Sequence, residues 1–386
     1  MKKLLLHIYN ETAGTAGAYI DQTLHGLDEF DCDVEALVNY WYGYKTKGAV
    51  PFFYKYSQKM PSSPLRRIVR YIELNKDCLA TYKYIKRKKN NYDEIVVVFS
   101  LLACFKPIYK VIKRLSKTEG IKLGIVIHDA VPFEEKGIRS ILMCKQDEII
   151  SNADFFVVHN DKTVHTIKKR YPDALFIKYR FPLMDVNQFV SKSNEKKERR
   201  KDYLFLSIGV IRKEKGIPVL LEAWKYAEEN DIKAMLVIAG KNTSGEEFDL
   251  SGYSKVQYIN EYLDDAEYCR LIESCDYVVL PYIGGTNSGI LSTVSSMGKP
   301  CVTSDIPLFK EIPYVNDELM FESGNSEALG KLLVSLASAS RDEYGKKVDF
   351  LTERTDNYRQ LFFDEMKTEY RKIIGNEQDS SQKNII

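Results

Sequence analysis

Short runs of Val, Ile, Leu and Phe alternate with longer amphipathic stretches along the chain, and the alternation restarts after a polar interruption near the middle. In the first half, the apolar runs at 3–8, 34–39, 95–99, 123–128 and 155–159 predict strands. In the second half, those at 203–208, 234–239, 277–280 and 300–303 do the same. Helical spacing of apolar positions falls between them, for example over 161–170, 218–228 and 265–274. Pro218 suits the first turn of its helix, where its missing N–H has no partner to lose. Strands that are apolar throughout, interleaved with helices, are expected of parallel sheets covered on both faces. The pattern therefore predicts an α/β protein with two Rossmann-like, doubly wound parallel-sheet domains and an interdomain cleft.

The interruption lies at 186–201 and contains Ser191-Lys-Ser-Asn-Glu-Lys-Lys-Glu-Arg-Arg200, a run without one apolar residue. It reads as a solvated linker between domains at 1–185 and 202–355. Beyond Arg341 one or two helices are expected to about Ile374, and the polar tail at 375–386 is expected to be disordered. A length of 386 residues agrees with two domains at roughly 100–200 residues each.

Composition changes the picture once the chain is divided. Its 56 Lys+Arg and 54 Asp+Glu give a net charge of only +2. Residues 1–182 hold 30 basic and 20 acidic groups, and the remainder 26 and 34, so a basic half precedes an acidic one. The basic excess concentrates at 55–91, where 11 Lys and Arg face two acids. The longest apolar stretch, 95–105, is 11 residues, short of the roughly 20 that a spanning helix needs. The start, Met1-Lys-Lys-Leu-Leu-Leu-His7, reads as a first strand and not as a secretory signal. Seven scattered cysteines without a Cys-x-x-Cys pair suit reduced thiols and a cytoplasmic location.

In open parallel sheets ligands bind beyond the carboxyl ends of strands. Three such loops carry chemistry. The first is Gly209-Val-Ile-Arg-Lys-Glu-Lys-Gly216, in which Arg212 and Lys215 are placed to clamp a diphosphate, Arg as a fork and Lys as a point charge; a solvated basic turn is the plainer alternative. The second is Pro281-Tyr-Ile-Gly-Gly-Thr-Asn-Ser-Gly-Ile290. There Asn287 or Ser288 caps a helix whose first amides, on Gly289, Ile290 and Leu291, form an anion cradle or simply a capped helix start. The third is His128-Asp-Ala-Val-Pro132, whose strand-end His128 is placed to contact a sugar or to serve as a structural hydrogen-bonder.

In order and spacing these segments resemble the retaining glycosyltransferases of family 4, which have the GT-B fold. The resemblance runs through Gly209–Trp224, Val237-Ile-Ala-Gly240, Asn260-Glu-Tyr-Leu-Asp-Asp-Ala-Glu267, Cys275-Asp-Tyr-Val-Val-Leu-Pro-Tyr282 and Asn287-Ser-Gly-Ile-Leu291. It implies an α/β GT-B enzyme that transfers a hexosyl group from a UDP- or GDP-linked donor without a metal or other cofactor. The acceptor would be a glycan, as on a polyprenyl-diphosphate-linked precursor of a cell-surface polysaccharide. It places Arg212 and Lys215 on the donor diphosphate, with Gly209, Asn287, Ser288, Gly289 and Ile290 around it. Tyr262 and Leu263 would lie beside the base, and His128 would contact the transferred sugar. Gly17 would belong to a glycine turn near the donor, and the helix at 356–374 would pack back on the first domain. The family commonly carries two glutamates eight positions apart at this helix; here those positions are Gly285 and Thr293. That departure implies altered donor contacts, with Thr293 offering a hydroxyl, or a catalytically silent partner protein of the same fold.

From Leu65 the positions Leu65, Ile68, Val69, Ile72, Leu79 and Tyr82 fall at helical spacing within the basic segment. Such an amphipathic helix, with Arg66, Arg67, Arg70, Lys86 and Arg87, suits an anionic membrane surface on the acceptor side; packing of the stripe on its own domain is the alternative. A peripheral protein at the inner face of the cell membrane is thus expected, and no nucleic-acid module is recognisable.

Overall fold

A computed structural model describes residues 1–10, 14–100, 105–128, 144, 146–190, 201–285 and 287–375. The chain forms two compact units, one of Met1–Pro182 with the segment from Leu361 onward, the other of Leu183–Gln360. The expected linker run at 191–200 and the tail from 376 lie outside the described residues.

Among the described residues, the first unit holds a seven-stranded parallel sheet of β1 (Lys3–Ile8), β2 (Asp33–Asn39), β3 (Ala49–Phe53), β4 (Glu94–Ser100), β5 (Ile121–Val126), β6 (Phe155–Val158) and β7 (Phe176–Lys178). Its order is β3-β2-β1-β4-β5-β6-β7, with helices α1 (Ala18–Gly26), α2 (Pro64–Lys88), α3 (Lys106–Leu115), α4 (Gln146–Ile150) and α5 (Asp161–Lys168). The second unit holds β8 (Tyr203–Ile208), β9 (Ala234–Ala239), β10 (Val256–Ile259), β11 (Tyr277–Leu280), β12 (Cys301–Ser304) and β13 (Met320–Phe321), ordered β10-β9-β8-β11-β12-β13. Its helices are α6 (Ile217–Glu229), α7 (Asp265–Ser274), α8 (Gly289–Ser296), α9 (Pro307–Lys310) and α10 (Ser326–Ser338). The last helix, α11 (Arg341–Ile374), contributes its residues from Leu361 to the first unit.

The four strands missing from the sequence reading are β3, β7, β10 and β13, the two edges of each sheet. Edge strands are short and covered incompletely, so they lack the continuous apolar run of a central strand. β3 also contains Pro51, which an edge tolerates because one side of it needs no ladder donor. The inner strands are buried along most of their length, as in Leu4–Leu6, Ile95–Phe99 and Phe205–Leu206. In the second unit Trp224 is fully buried, its ring 5.8 Å from Phe205.

Each sheet reverses its direction of growth once, between β1 and β4 in the first unit and between β8 and β11 in the second. Loops diverge there and open a crevice at the carboxyl ends of the strands. In the first unit α11 is tied down by Arg180, which donates from Nε (3.0 Å) and Nη2 (2.5 Å) to Glu365, and by Lys122 Nζ to the Ile373 carbonyl (3.1 Å).

The basic segment forms one continuous helix, α2. Ser63 caps it by accepting from the Arg66 amide at 3.1 Å, and Pro64 fills its first turn. Its buried face is Leu74, Cys78, Thr81 and Ile85. Of the expected apolar stripe, Leu65, Ile68, Ile72 and Leu79 lie on the opposite face, 49–62% exposed, whereas Val69 is half-buried and Tyr82 packs against the core. Among the described residues no helix is long and apolar enough to cross a membrane.

Candidate functional site

The second unit assembles its polar groups at the β8/β11 reversal. After β8 the backbone keeps pairing beyond the sheet: Gly209 N donates to Ala239 O and Ile211 N to Lys241 O, each at 2.9 Å. This fixes the loop before Arg212. A single turn, Lys213–Lys215, then ends at Gly216, which is left-handed at φ 66°. A Cβ there would fall 1.9 Å from the Pro281 carbonyl, so the position requires glycine. The close approach binds the two loops, and Ile283 N completes the junction by donating to Glu214 O at 3.0 Å.

Lys215 is half-buried at this junction, with Nζ 3.7 Å from the centre of the Tyr282 ring. Desolvation, with a smaller contribution from the Arg212 charge, lowers its pKa from 10.5 to about 8. Glu214 opposes the shift, but its carboxylate pairs with Arg212 at 3.7 Å. The result is a partly desolvated cation held over an aromatic face, a group to which an incoming anion restores lost solvation.

Across the reversal Ser288 caps α8, its Oγ accepting from the Leu291 amide at 3.2 Å. The Gly289 and Ile290 amides have no acceptor within the helix, as the geometry of a first turn dictates. Ile290 lies against the first loop: a Cβ on Gly209 would meet its Cδ1 at 2.3 Å. Arg212, Lys215, Gly209, Ser288, Gly289 and Ile290 therefore belong to one edge of one unit. Asn287 adjoins them in the loop, half-buried. Thr293 is buried deeper in α8, with Oγ1 3.8 Å from Met184 Sδ. Leu263 packs on the apolar cluster of this edge, while Tyr262 is 73% exposed in the loop after β10.

Two site-forming residues escaped the sequence reading. Tyr282, the ring beneath Lys215, lay inside a loop already singled out, where its position next to Pro281 was the available signal. Met184 had none, because its partners are more than a hundred positions away: its amide donates to Ser292 Oγ (2.9 Å), and its carbonyl accepts from Ser296 Oγ (2.7 Å).

The first unit has its own polar edge. His128, just past β5, holds Ser100 Oγ at 3.1 Å through Nε2 and lies edge-on to Tyr19 at 5.0 Å. His159 is buried next to them. Its Nδ1 donates to the Tyr179 carbonyl (3.1 Å), which leaves Nε2 to accept from the Tyr19 hydroxyl (3.0 Å). Burial, reinforced by His128, lowers the His159 pKa to about 3, so this ring stays neutral. Gly17 precedes α1, where a Cβ would strike the Tyr42 ring at 2.9 Å. Of the basic residues on α2, Arg66 and Arg70 turn to Gln58, at 3.4 and 2.9 Å, while Arg67, Lys86 and Arg87 are exposed. Among the described residues no three His, Cys, Asp or Glu side chains are grouped to hold a metal ion.

Residues 202–339 match the family model described as Glycosyl transferases group 1. No curated protein sequence matches the chain. Its structure is similar to the N-terminal domain of Candida albicans trehalose-6-phosphate phosphatase, with TM-score 0.62, 12% identity, and 97% of both chains covered. The catalytic domain of Arabidopsis thaliana starch synthase IV, bound to ADP and acarbose, superposes with TM-score 0.61 at 9% identity, over 95% of this chain and 100% of that one. Anabaena HepE in complex with UDP and glucose gives 0.58 at 13% identity, over 97% and 100%. The chain has the GT-B fold. In this GT-B chain the family match spans both loops of the β8/β11 reversal, so the residues around Lys215 fall in the matched part.

Proposed function

We propose that the protein is a retaining glycosyltransferase that moves a hexosyl group from a UDP- or GDP-linked donor to a glycan acceptor. The observation that carries this reading is the Arg212–Lys215 loop beside the amino end of α8, with Lys215 stacked on Tyr282 at 3.7 Å. Breaking the bond from the anomeric carbon to the diphosphate oxygen puts negative charge on the departing diphosphate. Arg212, Lys215 and the Gly289 and Ile290 amides are positioned charges and dipoles for that group, and such preorganised electrostatics is usually the largest catalytic contribution. The acceptor oxygen bonds to the anomeric carbon on the face the diphosphate leaves, and its proton passes to the departing phosphate oxygen. No protein nucleophile or metal takes part in this scheme. Tyr262 and Leu263 flank the base, and Asn287 and Thr293 complete the donor surroundings within the second unit. Nucleotides bound to neighbours of the same fold support the donor class: UDP in Anabaena HepE and ADP in starch synthase IV.

The acceptor is a glycan on a lipid-linked precursor of a cell-surface polysaccharide, and the protein works peripherally at the inner face of the cell membrane. The basic, outward-facing α2 supports this part. A second reading, a silent GT-B partner protein, is favoured by Gly285 and by the burial of Thr293 against Met184, where the related family has carboxylates. A thermal-shift panel of UDP-, GDP- and ADP-sugars on wild type and Arg212→Ala separates the two. Stabilisation of wild type by one nucleotide class, lost in the variant, is expected. If no nucleotide stabilises wild type, the transferase reading fails and the silent partner replaces it.

A further inference from the structure

The amino end of α2 adjoins an exposed aromatic cluster at the carboxyl edge of the first sheet. Trp41 follows β2 and Tyr56 follows β3; they are 36% and 70% exposed. Lysines interleave with them: Lys59 Nζ lies 3.7 Å from the centre of the Trp41 ring and Lys55 Nζ 5.7 Å from that of Tyr56. The segment between them is pinned to both sides, since Lys55 O accepts from Trp41 Nε1 (2.9 Å) and Gln58 accepts from Arg70 (2.9 Å). Of the two acids of 55–91, Glu73 is buried and Asp77 half-buried, and both are engaged by backbone amides. Glu73 accepts from the Tyr56 and Ser57 amides (2.8 and 2.9 Å), and Asp77 from the Tyr54 amide (3.0 Å). The exposed charges of this segment are cationic, and they stand among exposed aromatic and aliphatic side chains (Leu65, Ile68, Ile72).

We propose that this face docks on an anionic lipid bilayer, with Trp41, Tyr56, Ile68 and Ile72 entering the headgroup region between Lys55 and Lys59. The proposal rests on the membrane-side reading above and assigns it a surface. Amphipathic rings favour the interface, aliphatic side chains gain by leaving water, and lysines meet lipid phosphates. The aliphatic residues favour lipid over a soluble glycan, which would use the rings alone.

The chain carries its own reporter, because its other tryptophan, Trp224, is fully buried in the second unit. Phosphatidylcholine vesicles, with and without phosphatidylglycerol, are added to the full chain while tryptophan emission and co-sedimentation are followed. Binding and a blue shift are expected with the anionic vesicles only. Trp41→Phe should abolish the shift, and Ile68→Asp with Ile72→Asp should abolish sedimentation. Lys55→Gln with Lys59→Gln should weaken binding about 30-fold, at roughly 1 kcal/mol per cation near the surface. Equal binding to neutral vesicles overturns the proposal, as does wild-type binding by the aspartate variant. A blue shift evoked by inorganic phosphate or a soluble oligosaccharide alone does so too. The nucleotide panel is read separately on the same samples: vesicle failure with intact nucleotide stabilisation overturns the docking face alone. Vesicle binding without nucleotide stabilisation supports the face and overturns the transferase.

Discussion

Replacing Lys215 by methionine is expected to stabilise the unliganded protein and to destroy donor binding. Methionine keeps the apolar length of the side chain on Tyr282 and removes the charge. Burial holds the ammonium at about 8 against its ordinary 10.5, a difference worth roughly 3 kcal/mol at about 1.4 kcal/mol per pH unit. The cation–π contact with Tyr282, worth roughly 0.5–2 kcal/mol, is separate from that burial penalty and is lost with the charge, offsetting part of the gain. A net gain of about 1–3 kcal/mol at pH 7 follows, read as a raised midpoint in urea. The folded chain binds fewer protons than the unfolded one between pH 8 and 10.5, so the penalty is full below pH 8 and fades as pH rises through that window. The gain from Lys215→Met should fade with it. Donor binding should behave in the opposite sense. A diphosphate favours the protonated ammonium, so affinity is flat below about pH 8 and weakens about tenfold per pH unit above it, until the bound-state value is reached. Titration calorimetry of the nucleotide selected in the panel, at pH 7 and pH 9, measures this. Lys215→Arg, a cation that does not titrate there, should remove the slope. A less stable Lys215→Met protein, or wild-type affinity unchanged at pH 9, refutes the reasoning.

Two further outcomes concern the scaffold. Gly216→Ala should destabilise the second unit by about 1–2 kcal/mol for the left-handed backbone alone, and by more for the contact with the Pro281 carbonyl, lowering the denaturation midpoint. Unchanged stability would mean that the loop junction yields freely. In the first unit, burial lowers both His7 and His159 to about 3. The unfolded chain takes up those protons first, so stability should fall as pH drops from about 6.5 toward 3, at up to about 1.4 kcal/mol per pH unit for each ring. His7→Leu removes one of them together with its Nε2, which has no hydrogen-bond partner among the described residues, and should halve that part of the slope in thermal melts between pH 7 and 5.

Much of this was legible in the sequence because parallel sheets write themselves plainly at their centres. The inner strands and the loops holding Arg212, Lys215 and Ser288 followed from apolar runs and from the turns that end them. The outer strands β3, β7, β10 and β13 did not, because an edge is made by its neighbour's ladder and needs little apolar pattern of its own. The sequence also showed the apolar stripe on α2 but not which way it faces. Leu74, Cys78, Thr81 and Ile85 formed a second, less conspicuous stripe, and the sheet took that one. Only tertiary structure brought Tyr282 under Lys215, Met184 onto α8, and Glu73 and Asp77 onto the amides of the 54–57 segment. These contacts join residues that are adjacent in space while remote along the chain. Local pattern decides which segments form strands, helices and charged loops; the packing of those segments decides which charges lose their water, and hence which are poised to bind.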